Sequence, residues 1–243
     1  MDQNFIASIV ILFLLFSPNG KIYSQINEYD SLALVALCNS TGCRAWTNST
    51  GWRNAGPISN WYGVTIDSNR VTHIYLRSNN LIGTLPSKIG DLSKLKSINL
   101  GYNNLIGNIP DEFWNLSQLE KLYLMGNGLK GELSLNIGNL SNLTDIRFEG
   151  KYLEGSIPAE ISNFTLIEDL RLNATDFTGT IPISIWSLIT LRWLIFEGNE
   201  LVGRIPSLIG NLINLNHIRL EYNQLSGNLP FDSCKLELST HWQ

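Results

Sequence analysis

The sequence predicts an α/β solenoid, a right-handed coil of short repeats with a parallel sheet on its concave side and irregular or 3-10 segments on its convex side. Apolar residues alternate in each period, as Ile98 and Leu100 do, which is typical of a strand with one buried face. Proline recurs at one position in six copies. A fixed period of this length indicates stacked units. The period is marked by seven glycines that lie 24 residues apart, at Gly83, Gly107, Gly131, Gly155, Gly179, Gly203 and Gly227.

Residues 1–24 have the features of a secretory signal peptide. A largely apolar run of eleven residues, from Ile6 to Phe16, is too short for a membrane-spanning helix, which needs about 20 residues. We therefore expect a secreted protein, extracellular or at the cell surface, with no stable membrane span once the signal is cleaved. An uncleaved anchor or a wrongly assigned start would be the alternatives.

Residues 25–70 do not repeat and are expected to form an N-terminal cap. Asp30 is placed to cap a short helix over residues 31–37, whose apolar side chains would cover the end of the first repeat. Cys38 and Cys43 are close enough in the chain to form a disulfide in an oxidising compartment, whereas Cys234 has no evident partner. The cap also contains three of the seven tryptophans, Trp46, Trp52 and Trp61.

Residues 71–230 contain seven copies of one pattern. It is written out by Leu95, Ile98, Leu100, Asn103, Leu105, Gly107, Ile109 and Pro110. This is the leucine-rich repeat pattern. Its length and its x-G-x-I-P extension resemble the plant-specific class, as in receptor-like and polygalacturonase-inhibitor-like ectodomains. The resemblance implies a non-enzymatic module that binds protein or peptide on its concave face.

The asparagine of the pattern is expected to bond backbone groups of adjacent coils through its amide, where unpaired groups would cost about 1–3 kcal/mol each. Lys151 and Thr175 replace it in two copies, and Ser134 replaces the proline in one. We expect loosened geometry across copies three to five. The asparagine is present at Asn79, Asn103, Asn127, Asn199 and Asn223.

The cap resembles those of secreted repeat proteins in the stretch from Asn60 to Thr65, Asn-Trp-Tyr-Gly-Val-Thr. Plant receptor caps share the Trp-x-Gly-Val-Thr element but typically continue with cysteine, where this chain has Ile66. The departure argues against direct membership of the receptor-kinase and polygalacturonase-inhibitor families. In lacking that cysteine, the cap of this chain resembles caps of bacterial and algal repeat proteins. Residues 231–243 are expected to form a short C-terminal tail or partial cap.

No catalytic or cofactor motif is found in the sequence. The histidines His73, His217 and His241 lie far apart, and no serine or cysteine stands in an activating motif. No metal-ligand spacing accompanies the cysteine pair. The net charge of −4, from 17 basic and 21 acidic residues, is too small to suggest nucleic acid or an anionic membrane as partner. We expect neither an enzyme nor a cofactor.

The strand residues that point away from the core form three ladders on the concave face. The first ladder is His73, Ser97, Lys121, Asp145, Asp169, Trp193 and His217. The central ladder is Tyr75, Asn99, Tyr123, Arg147, Arg171, Ile195 and Arg219. The third ladder is Arg77, Gly101, Met125, Glu149, Asn173, Glu197 and Glu221.

This face is rich in tyrosine, tryptophan and arginine, the residue types enriched at binding hot spots. We expect Trp193 and Ile195 to form an apolar anchor, with Arg147 and Arg171 donating to a carboxylate or carbonyl of an extended partner. Alternatively these arginines and Arg219 only neutralise carboxylates on neighbouring strands, and both interpretations can hold together. The carboxylates are those of Asp145, Asp169, Glu149 and Glu221. Tyr102 and Tyr222, beside the ladders, contact either the partner or the turn. The predicted partner-binding residues are Tyr75, Tyr123, Asp145, Arg147, Glu149, Asp169, Arg171, Trp193, Ile195, Glu197, His217 and Arg219.

Seven sequons are candidate N-glycosylation sites, at Asn39, Asn48, Asn115, Asn139, Asn142, Asn163 and Asn173. Asn173 belongs to the third ladder, so concave binding requires it to be free of sugar. Two other functions are compatible with the array: structural or surface adhesion to polysaccharide or ice, and a piece of a longer receptor. Adhesion to ice or polysaccharide favours a convex side with the same residue in most copies. The position after each glycine varies, for example from Thr84 to Glu132 to Arg204, and is not regular enough to support adhesion.

Overall fold

The structure, a computed structural model, describes residues 26–53 and 56–227 and the backbone of a strand at Glu237–Leu238. The expected signal peptide, Cys234 and most of the expected C-terminal tail lie outside the described residues. The described chain consists of one α-helix, α1 (Glu28–Ser40), followed by strands and 3-10 segments that recur along the coil.

A nine-stranded sheet lines the concave side. Its first two strands pair antiparallel, and all later neighbours pair parallel. Each turn of the coil therefore adds one strand to the sheet, as the sequence pattern predicts. The strands in spatial order are β1 (Val64–Asp67), β2 (Arg70–Tyr75), β4 (Ser97–Asn99), β6 (Lys121–Tyr123), β8 (Asp145–Glu149), β10 (Asp169–Asn173), β12 (Trp193–Ile195), β14 (His217–Arg219) and β16 (Glu237–Leu238).

A second set of short parallel strands runs along the coil, one after the turn that follows each concave strand of the array. Five of them form one sheet: β3 (Ile82–Gly83), β5 (Asn104–Gly107), β7 (Gly128–Glu132), β9 (Tyr152–Ser156) and β11 (Asp176–Thr178). The last two, β13 (Val202–Arg204) and β15 (Gln224–Ser226), pair with each other. These strands were not predicted from the sequence.

The convex side consists of 3-10 segments, which confirms the predicted fold class. A proline precedes each segment of the array except one, where the Ser134 hydroxyl accepts a hydrogen bond from the backbone N–H of Asn136 at 3.2 Å. Serine thus starts the segment by a side-chain cap where proline would start it by its fixed φ. The segments are Ser87–Asp91, Asp111–Asn115, Leu135–Asn139, Ala159–Asn163, Ile183–Ser187 and Ser207–Asn211, and a further one, Ile58–Asn60, lies in the cap.

The prediction that Asp30 caps a helix over residues 31–37 is wrong. Helix α1 begins earlier, and the Asn27 side chain caps it by accepting from the N–H groups of Tyr29 and Asp30. Asp30 is fully buried, and its carboxylate accepts from Nε and Nη2 of Arg70 at 3.0 and 2.9 Å and from the N–H of Val71 at 2.7 Å. Burial of this charge is tolerated because all three donors converge on it.

The cap covers the end of the first coil with a tryptophan cluster. The rings of Trp46 and Trp61 pack on either side of Trp52, with centroids 4.8 and 4.9 Å from it, and all three are buried. Cys38 and Cys43 form a disulfide that closes the loop after α1, with their Cα atoms 4.8 Å apart. A Cβ at Gly83 would collide with the carbonyl oxygen of Ser40, so glycine allows the cap to pack against the first repeat.

The asparagine ladder forms as predicted. The amide of Asn103 donates to the carbonyls of Leu76 and Leu100, each at 2.8 Å, and its oxygen accepts from the N–H groups of Asn79 and Leu81. One side chain therefore joins two adjacent coils. Asn127, Asn199 and Asn223 make equivalent bonds.

Loosened geometry was expected across copies three to five, but the strands of the two copies that lack the asparagine pair in register. Lys151 is exposed, and the hydroxyl of Thr175 donates to the side-chain oxygen of Asn199. In both copies the concave strand is longer than in the others. β8 and β10 pair over five residues. The strands β4, β6, β12 and β14 each have three residues. Without the asparagine turn, the chain stays extended to Glu149 and Asn173.

Candidate partner-binding face

The three predicted ladders are present on the concave sheet. Parallel pairing aligns the first ladder from His73 to His217 and the central ladder from Tyr75 to Arg219 without a shift of register. In the third ladder Glu149 pairs with Asn173. The sheet therefore carries side chains of neighbouring copies side by side at strand spacing.

A pocket of about 690 Å³ lies on the concave face over copies two to seven, counting the copy that contains Gly83 as the first. Eight of the twelve predicted binding residues line it. Its lining residues are Tyr102, Met125, Arg147, Phe148, Glu149, Arg171, Asn173, Trp193, Ile195, Glu197, His217, Ile218 and Arg219.

Four of the predicted residues do not line the pocket. Tyr75 lies near the cap, 44% exposed, with its ring stacked against His73 at 5.8 Å between centroids. Tyr123, Asp145 and Asp169 are absent from the lining and form a hydrogen-bond network with Arg147 and Arg171, which do line the pocket.

Two arginines of the central ladder, Arg147 and Arg171, are bound to carboxylates of the first ladder. Arg147 donates from Nε and Nη2 to Asp145 and from Nη2 to Asp169, each at 2.9 Å. Arg171 donates from Nε and Nη2 to Asp169 at 2.6 and 2.7 Å. The alternative that these arginines neutralise neighbouring carboxylates therefore describes the structure. Arg147 and Arg171 face the pocket as members of a neutral network.

Tyr123 extends this network to a third strand, because its hydroxyl donates to Asp145 at 2.6 Å. Burial raises the pKa of the Tyr123 phenol above its ordinary value of 10.0, the hydrogen bond and charge of Asp145 raise it further, and Arg147 opposes the rise. Burial lowers the pKa of Arg147, but its hydrogen bond with Asp145 and the charges of both aspartates outweigh this and raise it. Arg147 therefore stays charged.

Because the pKa of Tyr123 is raised in the folded protein, the free energy of unfolding should fall at alkaline pH. A phenol whose pKa is higher in the folded than in the unfolded chain contributes stability below pH 10, and this is lost as the pH rises toward the folded-state value. Urea unfolding from about pH 9 to about pH 11 should show a steeper loss of unfolding free energy for the wild type than for Tyr123→Phe. Parallel loss in the two proteins would contradict the raised pKa.

Trp193 lies at the centre of an aromatic stack. The guanidinium of Arg171 lies 5.0 Å from its ring centroid, and the ring of His217 stacks on it at 3.5 Å. Trp193 is half-buried and lines the pocket, whereas Ile195 is only 7% exposed. The predicted anchor is therefore mainly Trp193, because neighbouring side chains already cover Ile195.

Tyr102 and Met125 line the pocket although neither was among the predicted binding residues. Tyr102 is 47% exposed, and the guanidinium of Arg77 lies 4.2 Å from its ring centroid. Its position just beyond the third ladder was the available signal, since the sequence analysis left open whether it contacts a partner. Tyr222, the other tyrosine beside the ladders, is exposed and does not line the pocket.

The candidate glycosylation sites fall on different sides of the solenoid. Asn115, Asn139 and Asn163 are exposed at the ends of convex 3-10 segments. Asn173 is half-buried and lines the pocket. A glycan at Asn173 would occupy the space in front of the arginines and Trp193.

Two general features of the described residues bear on function. No helix among residues 26–53 and 56–227 is long and apolar enough to cross a membrane. In the same part of the chain, no group of three or more histidine, cysteine, aspartate or glutamate side chains is placed to hold a metal ion.

Comparison with known proteins identifies the repeats. Leucine-rich repeat family models match residues 69–129 and 190–212. A probable leucine-rich repeat receptor-like protein kinase from Arabidopsis thaliana is 36% identical over 92 residues, which are 37% of this chain and 9% of the kinase. The chain thus spans less than a tenth of that relative.

Solved receptor structures share the fold. The ectodomain of the Arabidopsis thaliana receptor kinase GASSHO1/SCHENGEN3, in complex with Casparian strip integrity factor 2, matches with a TM-score of 0.76 and 29% identity over 84% of this chain and 26% of that chain. The plant peptide hormone receptor RGFR1, in complex with RGF2, matches with a TM-score of 0.64 and 34% identity over 67% of this chain and 26% of that chain. The repeat array described above is a leucine-rich repeat solenoid that is similar in sequence and fold to the ectodomains of plant receptor kinases.

Proposed function

We propose that this chain is a secreted, non-enzymatic module that binds an extended peptide or protein segment on its concave face, in recognition, signalling or defence. The observation that carries the proposal is the pocket over copies two to seven, which the half-buried Trp193 lines. Aromatic and arginine side chains in a concave site are the residues from which hot spots are built.

The similar receptors support binding of a peptide or protein partner. GASSHO1/SCHENGEN3 and RGFR1 were each crystallised with a partner, and RGFR1 is a peptide hormone receptor. A leucine-rich repeat solenoid of the same class is thus suited to peptide recognition. The resemblance of the cap to bacterial and algal proteins remains a prediction.

The test is capture of partners from extracellular fluid of the source organism by the purified protein. Trp193→Ala is the variant of choice, because Arg171 also holds Asp169 and its loss would disturb the sheet. Ile183→Ala, on the convex side and 68% exposed, is the matched control. We expect wild type and control to retain the same proteins and Trp193→Ala to bind them at least about tenfold more weakly. Equal capture by all three folded proteins would refute concave binding.

A further inference from the structure

The charges that line the pocket differ in how far they are already satisfied within the protein. Arg147 and Arg171 share the carboxylates of Asp145 and Asp169, so this network has equal numbers of positive and negative groups. Arg219 donates to Glu197 at 3.4 Å. None of these groups needs a partner's charge to compensate it.

Glu149 is the exception among the pocket-lining charges. It is half-buried at the end of β8, and within residues 26–53 and 56–227 its carboxylate has no ion pair and no hydrogen bond. Lys151, two residues further along, is exposed, does not line the pocket and forms no ion pair with Glu149. A partly desolvated carboxylate without a donor favours a cationic ligand group.

The surroundings of Glu149 suit a long cationic side chain. Its backbone oxygen accepts from the N–H of Gly126, which follows Met125. A Cβ at Gly126 would lie 2.7 Å from the ring of Tyr102, so that ring covers the adjacent backbone. Tyr102 and Met125 line the same pocket as Glu149, and most of the apolar surface comes from Tyr102, since Met125 is only 9% exposed. Lysine and arginine bury their methylene stems on such surface while the charged head reaches a polar group.

We infer that the pocket takes a lysine or arginine side chain of the bound segment, with Glu149 accepting its hydrogen bond and Tyr102 and Met125 contacting its stem. The inference rests on the proposed function, since it names the chemistry of the segment that the concave face binds. It also reverses the expected sign of the charge: the partner contributes a cation to Glu149 and not an anion to Arg147 and Arg171.

The experiment selects phage-displayed random peptides on immobilised wild-type protein and keeps those that fail to bind Trp193→Ala. Synthetic copies of these peptides, and copies in which each basic residue is replaced by norleucine, are then titrated against three proteins. These are the wild type, Glu149→Gln and Glu154→Gln. Glu154 is an exposed carboxylate on β9, outside the pocket, so the control removes the same charge elsewhere.

We expect the selected peptides to share a lysine or arginine whose replacement by norleucine weakens binding to the wild type and to Glu154→Gln by about tenfold. The same replacement should have little effect on Glu149→Gln, because the pair is already broken. Unchanged or stronger binding of the selected peptides to Glu149→Gln, or selection of acidic peptides, would overturn the inference and leave the proposed function intact. If every peptide that binds the wild type also binds Trp193→Ala, both the inference and the proposed function fail.

Discussion

Replacing Asn103 by alanine is expected to lower the free energy of unfolding by about 3–5 kcal/mol, because one buried amide serves five backbone groups. The carbonyls of Leu76, Leu100 and Gly101 would lose a donor. The N–H groups of Asn79 and Leu81 would lose an acceptor. Urea unfolding followed by circular dichroism measures the effect.

The matched control for this change is the neighbouring Asn104→Ala. Asn104 is exposed, and its side chain donates only to Asn80 at 3.2 Å, so water replaces the lost bond. We expect its stability to differ from the wild type by less than about 0.5 kcal/mol. Similar losses for both variants would show that the asparagine ladder is not what joins the coils.

Replacing Asp30 by asparagine is expected to cost about 2–4 kcal/mol, because it leaves the Arg70 guanidinium without its charged partner at the junction of cap and array. The carboxylate is fully buried and makes three hydrogen bonds there. Since a solenoid end needs its cap, the first coils should also become more accessible to hydrogen exchange.

Asp67→Asn serves as the comparison for Asp30→Asn. Asp67 lies on β1 in the same cap but is exposed, with its carboxylate bonded only to the hydroxyl of Ser68. We expect Asp67→Asn to have the same urea midpoint of unfolding as the wild type. A loss below about 0.5 kcal/mol for Asp30→Asn would contradict its assigned role.

The repeat register could be predicted from sequence because each residue has an equivalent 24 positions away. A ladder such as His73 to His217 follows once one strand is placed. The asparagine turns were also predictable, since a buried amide at a fixed turn can reach few other groups. The strand from Gly128 to Glu132 was not predictable from side chains, because backbone pairing with adjacent coils defines it.

Contacts between copies or between cap and array escaped prediction. Asp30 meets Arg70 across 40 residues of chain, and no local pattern signals that pairing. Each central arginine had several carboxylates within one strand spacing, so sequence could not decide between a bound partner and Asp145 or Asp169. The structure shows that Asp145 and Asp169 bind Arg147 and Arg171, and among the pocket-lining charges of the described residues this leaves Glu149 without a partner.

Occupancy of the Asn173 sequon in protein purified from a eukaryotic source tests the concave site most directly. Asn173 lines the pocket, whereas Asn115 and Asn139 are exposed on the convex side and can carry sugar without harm to binding. Peptide mass spectrometry before and after glycosidase treatment measures all three. If the partner binds on the concave face, Asn173 carries no glycan. A glycan on Asn173 in every molecule would contradict it.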